Sequence, residues 1–283
     1  MTDEGGLRAQ ELRAAALGGF WTGIDVVAST GSTNADLLAR AGDEPDAAEG
    51  QVLVAEEQTA GRGRLGRTWT SVPGAALTFS VLLRPVTVPA DRRGWLPLLA
   101  GVAVASAVRS VTADAAGGAG TGDGGVGAVL KWPNDVLVGE RKLAGILAEQ
   151  SPDGSAVVIG IGMNVATPAD ALPVSPAGLP ATSLLVEGAS VGREALLLET
   201  LRQFERWYAA FRADPDPGRT GLLDAYVRLC RTLGQPVRIE LPAGRSVTGT
   251  ASGIDSAGRL LITGSPGSPP RAISAGDVVH IRA

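Results

Sequence analysis

Lysine and cysteine are the residues this chain nearly does without. Of its 25 basic side chains only Lys131 and Lys142 are lysine, and Cys230 is its single cysteine. One cysteine excludes an internal disulfide and fits a reducing compartment. Positive charge is not in surplus either. The formal net charge is −4, so the chain as a whole offers no field to nucleic acid. No run reaches the roughly 20 apolar residues of a membrane-spanning helix. The opening MTDEGGLRAQELRAAALGGF has early acids and no apolar stretch of signal length. The expectation is a soluble, cytoplasmic protein. At 283 residues, 45% hydrophobic and 19% charged, the composition is globular and long enough for a large domain plus a small one. Richness in Ala, Gly and Arg accounts for arginine replacing lysine in general. It does not account for both lysines lying in one segment, KWPNDVLVGERKLAGIL, residues 131–147.

Along the chain, IDVV (24–27) reads as a strand, followed by the turn-like ASTGSTN. ADLLARAG has helical spacing, with Ser32 or Thr33 placed to cap it and Gly42 to end it. QVLVAEEQ and ALTFSVLLRP read as strands, and DRRGWLPLLAGVAVASAVRSV as a largely buried helix. The Gly-rich 116–127 is low in complexity and gives no packing signal. Strands are expected around 128–131, 134–139, 142–149 and in SAVVIGIGMNV. The proline-rich TPADALPVSPAGLPATSL (167–184) reads as a surface loop, and REALLLETLRQFERWYAAFRAD and GLLDAYVRLCRTLG as amphipathic helices. After Gly234 short alternating segments separated by turns predict a small five-stranded barrel, so the division is expected at 1–233 and 234–283. No internal repeat is visible.

Three segments carry chemistry. In QTAGRGRLGRTW (58–69), Gly61, Gly63 and Gly66 let backbone approach a ligand, while Arg62, Arg64 and Arg67 concentrate charge suited to phosphate oxygens. No Gly-Lys-Ser/Thr follows, so this is not the Walker pattern; a solvated turn or an RGG-like RNA contact stays open. In KWPND, Pro133 makes a rigid turn. Asn134 and Asp135 either close that turn or serve chemistry, Asp135 by orienting a magnesium ion or accepting a proton. Strand alternation in RKLAGIL puts Lys142 and Ala144 on one side, Leu143 and Gly145 on the other. Gly160 and Gly162 in VVIGIGMNV mark a close approach of ligand or backbone.

In this order and spacing, GSTN before a helix, QTAGRGRLGRTW, KWPNDV, RKLAGIL and GIGMNV resemble the biotin protein ligases, over residues 24–283. The resemblance implies an α/β catalytic domain like that of class II aminoacyl-tRNA synthetases, with a mixed sheet, plus an SH3-like C-terminal domain. It implies a two-step reaction: biotin and ATP give biotinyl-5′-adenylate, and a carrier-protein lysine then takes the biotin. The short stretch before the first strand leads to the expectation of a monofunctional ligase without specific DNA binding. The implied partner is the biotin carboxyl carrier domain of an acyl-CoA carboxylase. Oligomeric state stays open.

Carried over, Ser32, Thr33 and Asn34 match the biotin-contacting STN motif, and Gln58, Gly61, Gly145, Ile146 and Gly160 match positions bordering biotin. Arg62 and Arg64 match arginines that hold the carboxylate and phosphates, with Gly63, Arg67, Trp69 and Asn164 on the adenylate side. Lys142 matches the lysine that bridges biotin carboxylate and α-phosphate. Asn134 and Asp135 lie near the adenylate and a Mg2+ ion, with Asp135 a candidate to orient or deprotonate the carrier lysine. Lys131 is either a phosphate contact or a partner for Asp135, and Arg282 resembles a C-terminal arginine that reaches the nucleotide. The proline-rich loop falls where the family folds over adenine, yet it has no aromatic residue to stack there. Lipoate ligation is the rival within the fold, distinguished by the acid activated. An RNA-binding module is the rival outside it, distinguished by salt-sensitive binding without ATP chemistry.

Overall fold

The computed structural model describes residues 6–16, 18–43, 47–115, 125–173, 179–241, 245–264, 268–274 and 276–281. A helix, α1 (Ala9–Ala16), precedes β1 (Gly23–Thr30), α2 (Thr33–Asp43) and β2 (Gln51–Gln58). Then come β3 (Ala76–Leu83), α3 (Trp95–Ala115), β4 (Ala128–Lys131), β5 (Asp135–Val138), β6 (Arg141–Gln150) and β7 (Val157–Asn164). These seven strands form one mixed sheet in the order β1-β2-β3-β7-β6-β5-β4. Only β1 and β2 pair parallel, with α2 as the crossover such pairing requires.

Strand alternation gives this sheet two unlike faces. One face carries Leu77, Phe79 and Val81 of β3, Ile159, Ile161 and Met163 of β7, and Ala144 and Ile146 of β6. It is buried under α3 and α4 (Arg193–Ala213), which carries the buried Leu197, Leu201, Phe204 and Tyr208. With its preceding turn, α3 (Ala90–Ala115) is apolar enough to cross a membrane, but 72% of its apolar window is buried inside the protein. The opposite face is apolar only beneath α2, where Leu37 and Ala41 pack on Leu53, Leu82 and Val158. Beyond α2 that face carries Thr78, Ser80, Gly160, Gly162 and Gly145. Register places them side by side: Thr78 pairs with Gly162, Ser80 with Gly160, and Gly145 with Gly162. A sheet face of small and polar residues cannot hold a helix, so it is left as a floor.

After α5 (Leu222–Leu229), β8 (Pro236–Glu240), β9 (Ser246–Ile254), β10 (Leu260–Thr263), β11 (Arg271–Ile273) and β12 (Asp277–His280) form a separate antiparallel sheet in the order β11-β10-β9-β8-β12. This is the expected small β-domain. Its β9–β10 turn docks on the large domain: Trp95 Nε1 donates to Asp255 O at 3.2 Å, and Trp132 Nε1 to Gly258 O at 3.1 Å. Gly258, at φ 80°, lies so close that a β-carbon there would sit 2.9 Å from the Gly94 backbone. Both tryptophans are almost wholly buried, so truncating either to alanine costs about 3–5 kcal/mol.

Two expectations need correction. The alternation in RKLAGIL is interrupted, because β5 pairs Val136 with Ala144 but Leu137 with Lys142, leaving Leu143 as a bulge. Lys142 therefore shares a face with Gly145: a β-carbon on Gly145 would lie 3.3 Å from Lys142 Nζ. The helix expected across 221–234 is the shorter α5, Leu222–Leu229.

Candidate active site

On the floor of the open face, α2 brings its first turn over β3 and β7. The turn forms because the Ser32 carbonyl accepts Asp36 N–H at 3.0 Å and the Thr30 hydroxyl holds the Asp36 carboxylate. Ser32, Thr33 and Asn34 are all buried at this helix start, where unpaired N–H groups give a positive end. Gln58 Oε1 accepts the Thr33 N–H at 2.8 Å and lies 3.0 Å from the Thr33 hydroxyl. Thr33 Oγ1 is 2.7 Å from Ser80 Oγ, which donates to Asn34 Oδ1 at 2.6 Å. Asn34 Nδ2 donates to Leu147 O at 3.2 Å and to Glu149 Oε2 at 2.8 Å.

A hydroxyl has one proton to give, which fixes the direction of this chain. The Asn34 amide nitrogen is spent on Leu147 and Glu149, so its oxygen must accept from Ser80. Ser80 then accepts from Thr33, and Gln58 is held by the Thr33 N–H. Ser80 was not among the residues singled out from sequence. A lone serine inside ALTFSVLL gives no sign of the partners that meet it.

The glycines divide the floor differently from expectation. A β-carbon on Gly160 would sit 2.2 Å from Asn34 Oδ1, so Gly160 makes room for Asn34 and not for a ligand ring. A β-carbon on Gly162 would sit 2.3 Å from Trp69 Cε2, so Gly162, which the resemblance did not single out, seats the Trp69 indole. Trp69, expected at the adenylate, thus lies on the floor between Gly162 and Gly145. Gly61 is a close approach too, with Trp69 O 2.4 Å and Gln58 Nε2 3.0 Å from a β-carbon there.

The arginine loop arches above. Its hairpin closes through Gly63 N–H to Arg67 O at 2.7 Å and Trp69 N–H to Gly61 O at 2.9 Å. Leu65 at its tip adopts φ 56° and is exposed. Each arginine reaches a different element. Arg62 pairs with Glu149 of β6 at 3.2 Å, Arg64 donates to Asn134 Oδ1 at 3.1 Å, and Arg67 pairs with Asp277 of β12. Burial lowers the Arg64 pKa from its ordinary value, opposed by Asp277 and Asp135. Asn134 is held by its own Nδ2 bond to Ile146 O at 3.2 Å.

Beside the loop, Lys142 Nζ lies 2.7 Å from Asp135 Oδ1 and 6.0 Å from the Trp69 ring. Thr78 Oγ1 and Trp69 Nε1 are buried polar atoms without a hydrogen-bond partner among the described residues, while Asp135 Oδ1 is met by the Lys142 ammonium. Such orphans at one floor suit a polar ligand. Lys131 is cross-strand to Asp135 and makes no ion pair among the described residues. Burial pulls its pKa below the ordinary lysine value, with Asp135 and then Asp277 pulling back. Both lysines therefore face one carboxylate.

One sequence candidate leaves the open face and a second is covered at its end. Ile146 points under the sheet: a β-carbon on Gly101 of α3 would lie 3.6 Å from its Cδ1. Asn164 is buried, with Nδ2 donating to Thr182 O at 3.0 Å and its own carbonyl accepting Leu184 N–H at 3.2 Å. It anchors the end of the proline-rich loop, whose residues 180–182 in turn pair with Lys142. Arg282 and most of the Gly-rich stretch lie outside the described residues.

Two cavities meet at Arg64. One of about 780 Å³ is lined by residues 59–68 with Leu147 and Glu149 and opens to solvent. The other, about 440 Å³, runs between Arg64, Asn134, Ala148 and the turn Ala257–Arg259. No group of three or more metal-ligating side chains exists among the described residues. The arrangement offers buried neutral donors and acceptors on one side and more exposed guanidinium and ammonium groups on the other, joined at Lys142 and Trp69.

Comparison with known proteins points the same way. Residues 26–165 match the biotin/lipoate A/B protein ligase family, and residues 232–281 match the biotin protein ligase C-terminal domain. The chain is 44% identical to a biotin–[acetyl-CoA-carboxylase] ligase of Mycobacterium tuberculosis, over 99% of this chain and 96% of that protein. It is 34% identical to a ligase of the same name from Paracoccus denitrificans, over 86% and 95%. The biotin protein ligase of Aquifex aeolicus, solved with biotin and ATP, superposes with a TM-score of 0.72 at 27% identity, covering 93% of this chain and 100% of that one.

Proposed function

The chain belongs to the biotin protein ligase family, and we propose that it activates biotin with ATP and passes it to a lysine of an acyl-CoA carboxylase's biotin carboxyl carrier domain. In the first step a biotin carboxylate oxygen attacks the α-phosphorus of ATP and pyrophosphate leaves. In the second the carrier's neutral amine attacks the acyl carbon and AMP leaves. Two anions must meet in the first step, and the side chains here supply the means. Lys142, between the floor and the arginine loop, draws carboxylate and α-phosphate together and stabilises charge in the transition state. A preorganised group of that kind is worth about 10²–10³ in rate.

Arg62 takes the carboxylate side; Arg64, Lys131 and, from the loop's outer edge, Arg67 take the phosphates. Ser32, Thr33 and Gln58 present the polar edge that reads the ureido ring, with Trp69 and Gly145 against its flat face and Thr78 Oγ1 among the free hydrogen-bonding atoms. Asp135, held by Lys142, is the base or orienting group for the incoming amine. Mg2+ would arrive on the nucleotide's phosphates, neutralising them, and Asp135 is the carboxylate that would hold it. The reaction belongs in the cytoplasm, where ATP and the carrier protein are found.

The observation that carries this reading is the junction itself: Lys142 meets Asp135, Gly145 and Trp69 at the point where the buried relay and the arginine loop adjoin. The test is to incubate the protein with Mg2+, ATP and either biotin or lipoate, trapping any acyl-adenylate with hydroxylamine. Biotinyl hydroxamate alone is the expected product. Lipoyl hydroxamate alone would assign the chain to the lipoate branch, and neither would remove the activity.

A further inference from the structure

Glu149 is out of place in a site meant for two anions. Its carboxylate faces the 780 Å³ cavity beneath the arginine loop, with a quarter of its side chain exposed. There it accepts the Asn34 amide through Oε2 at 2.8 Å and pairs with Arg62 through Oε1 at 3.2 Å. It is the last acceptor in the directed chain from Thr33 through Ser80 and Asn34, and it links that chain to an arginine of the loop. A carboxylate here does nothing for a phosphate or a biotin carboxylate except repel it. It does hold Arg62 where such a carboxylate would bind.

We propose that Glu149 is a placeholder anion: it occupies Arg62 until the carboxylate of biotin replaces it. This rests on the reading of Arg62 as the carboxylate arginine. Oε2 stays fixed by Asn34 while Oε1 gives up Arg62, so the exchange costs one half-exposed ion pair and not the buried relay. Glu149 acts through Arg62 and touches no reacting atom, which makes it a positioning residue. The relay keeps the placeholder at a set distance from the ring-reading groups, so only an acid of the right chain length reaches Arg62. A ligand that fills the floor but lacks the carboxylate leaves the pair closed.

The test compares biotin with biotinol, its alcohol, in wild type and in Glu149→Gln, by calorimetry. Glutamine keeps an acceptor for Asn34 and removes the charge. With the competitor gone, biotin should bind about 5- to 10-fold more tightly, the worth of one partly exposed ion pair plus the relieved repulsion. Biotinol should change by less than about 2-fold. The gain for biotin should vanish in an Arg62→Ala background. Glu149→Ala, which also strips the Asn34 partner, should gain less for biotin and lose affinity for biotinol. Equal weakening of both ligands in Glu149→Gln, or a gain that persists without Arg62, would overturn the placeholder and leave a structural carboxylate. Wild-type protein that binds neither ligand would instead overturn the proposed function.

Discussion

The half of the site that carries Thr33, Asn34 and Ser80 is built as protein interior, with Gln58 at its edge, whereas the half that carries Arg62, Arg64 and Arg67 is built largely as protein surface. Thr33, Asn34 and Ser80 are at most 3% exposed and joined by bonds of 2.6–2.7 Å. The Arg62 and Arg67 side chains are 44% and 64% exposed, each tethered by a single ion pair to another element. Exposed ion pairs are worth about 0–1 kcal/mol, while each unsatisfied buried polar atom costs about 1–3 kcal/mol. The first half is therefore locked and the second is free to move. The difference suits the two ligand parts. A neutral heterocycle is recognised only by donors and acceptors held in place, whereas a polyphosphate is drawn by charge and can be enclosed after it arrives.

The largest effect is expected where the halves join. Lys142→Arg should lower the rate of biotinyl hydroxamate formation about 10²–10³-fold, because a planar fork cannot replace a compact ammonium between two ligand oxygens. The melting temperature should hold, and near-normal activity would break the junction. Next comes the interior half. Ser80→Ala leaves Asn34 Oδ1 buried and unpaired, and urea unfolding should show a loss of about 1–3 kcal/mol together with weaker biotin binding. An unchanged urea midpoint would show that the relay carries no weight.

How much of this contrast was legible beforehand follows from where each signal sits. The strands, the two-sheet layout and the five motif segments were visible, because period-2 apolar runs and glycine- or proline-marked turns are local features. The relay was not. Thr33, Gln58, Ser80 and Glu149 lie on four different elements; the register of β3, β7 and β6 sets Ser80, Gly160 and Leu147 in one row, with Glu149 two residues farther along β6. The bulge at Leu143 escaped for a similar reason, since alternation assumes a regular partner and a bulge is a property of the pair. Gly160 and Gly162 look alike in GIGMN, yet Asn34 fills the space over one and Trp69 over the other. The helix α1 lacked a sustained apolar period, with Leu12 its sole buried residue among those described.

On the surface half the expected effects are smaller. Asp277→Asn frees Arg67 from the small β-domain and removes an anion beside the phosphate-binding groups, so it should lower the KM for ATP about 2- to 5-fold, with biotin affinity unchanged and stability moved by less than about 1 kcal/mol. An effect on biotin alone would move Arg67 to the other half. Smallest is a pH effect at His280 on β12. Burial, helped by Lys131 and Arg231, lowers its pKa from the ordinary 6.5, so the folded state favours neutral imidazole. Its contribution to stability is present above pH 6.5 and is lost as pH falls through the lower folded-state value. His280→Gln should flatten the fall in the urea midpoint between about pH 7 and 5, and an unaltered slope would place the titration elsewhere.

Backbone hydrogen exchange with and without biotin tests the division between the halves most directly. The Thr33 amide, held by Gln58, should be slow in both states, and those of 62–68 fast in the free protein and slow only once biotin is bound. Equal protection of the arginine loop in both states, or an unprotected Thr33 amide without biotin, would contradict a site half locked and half free.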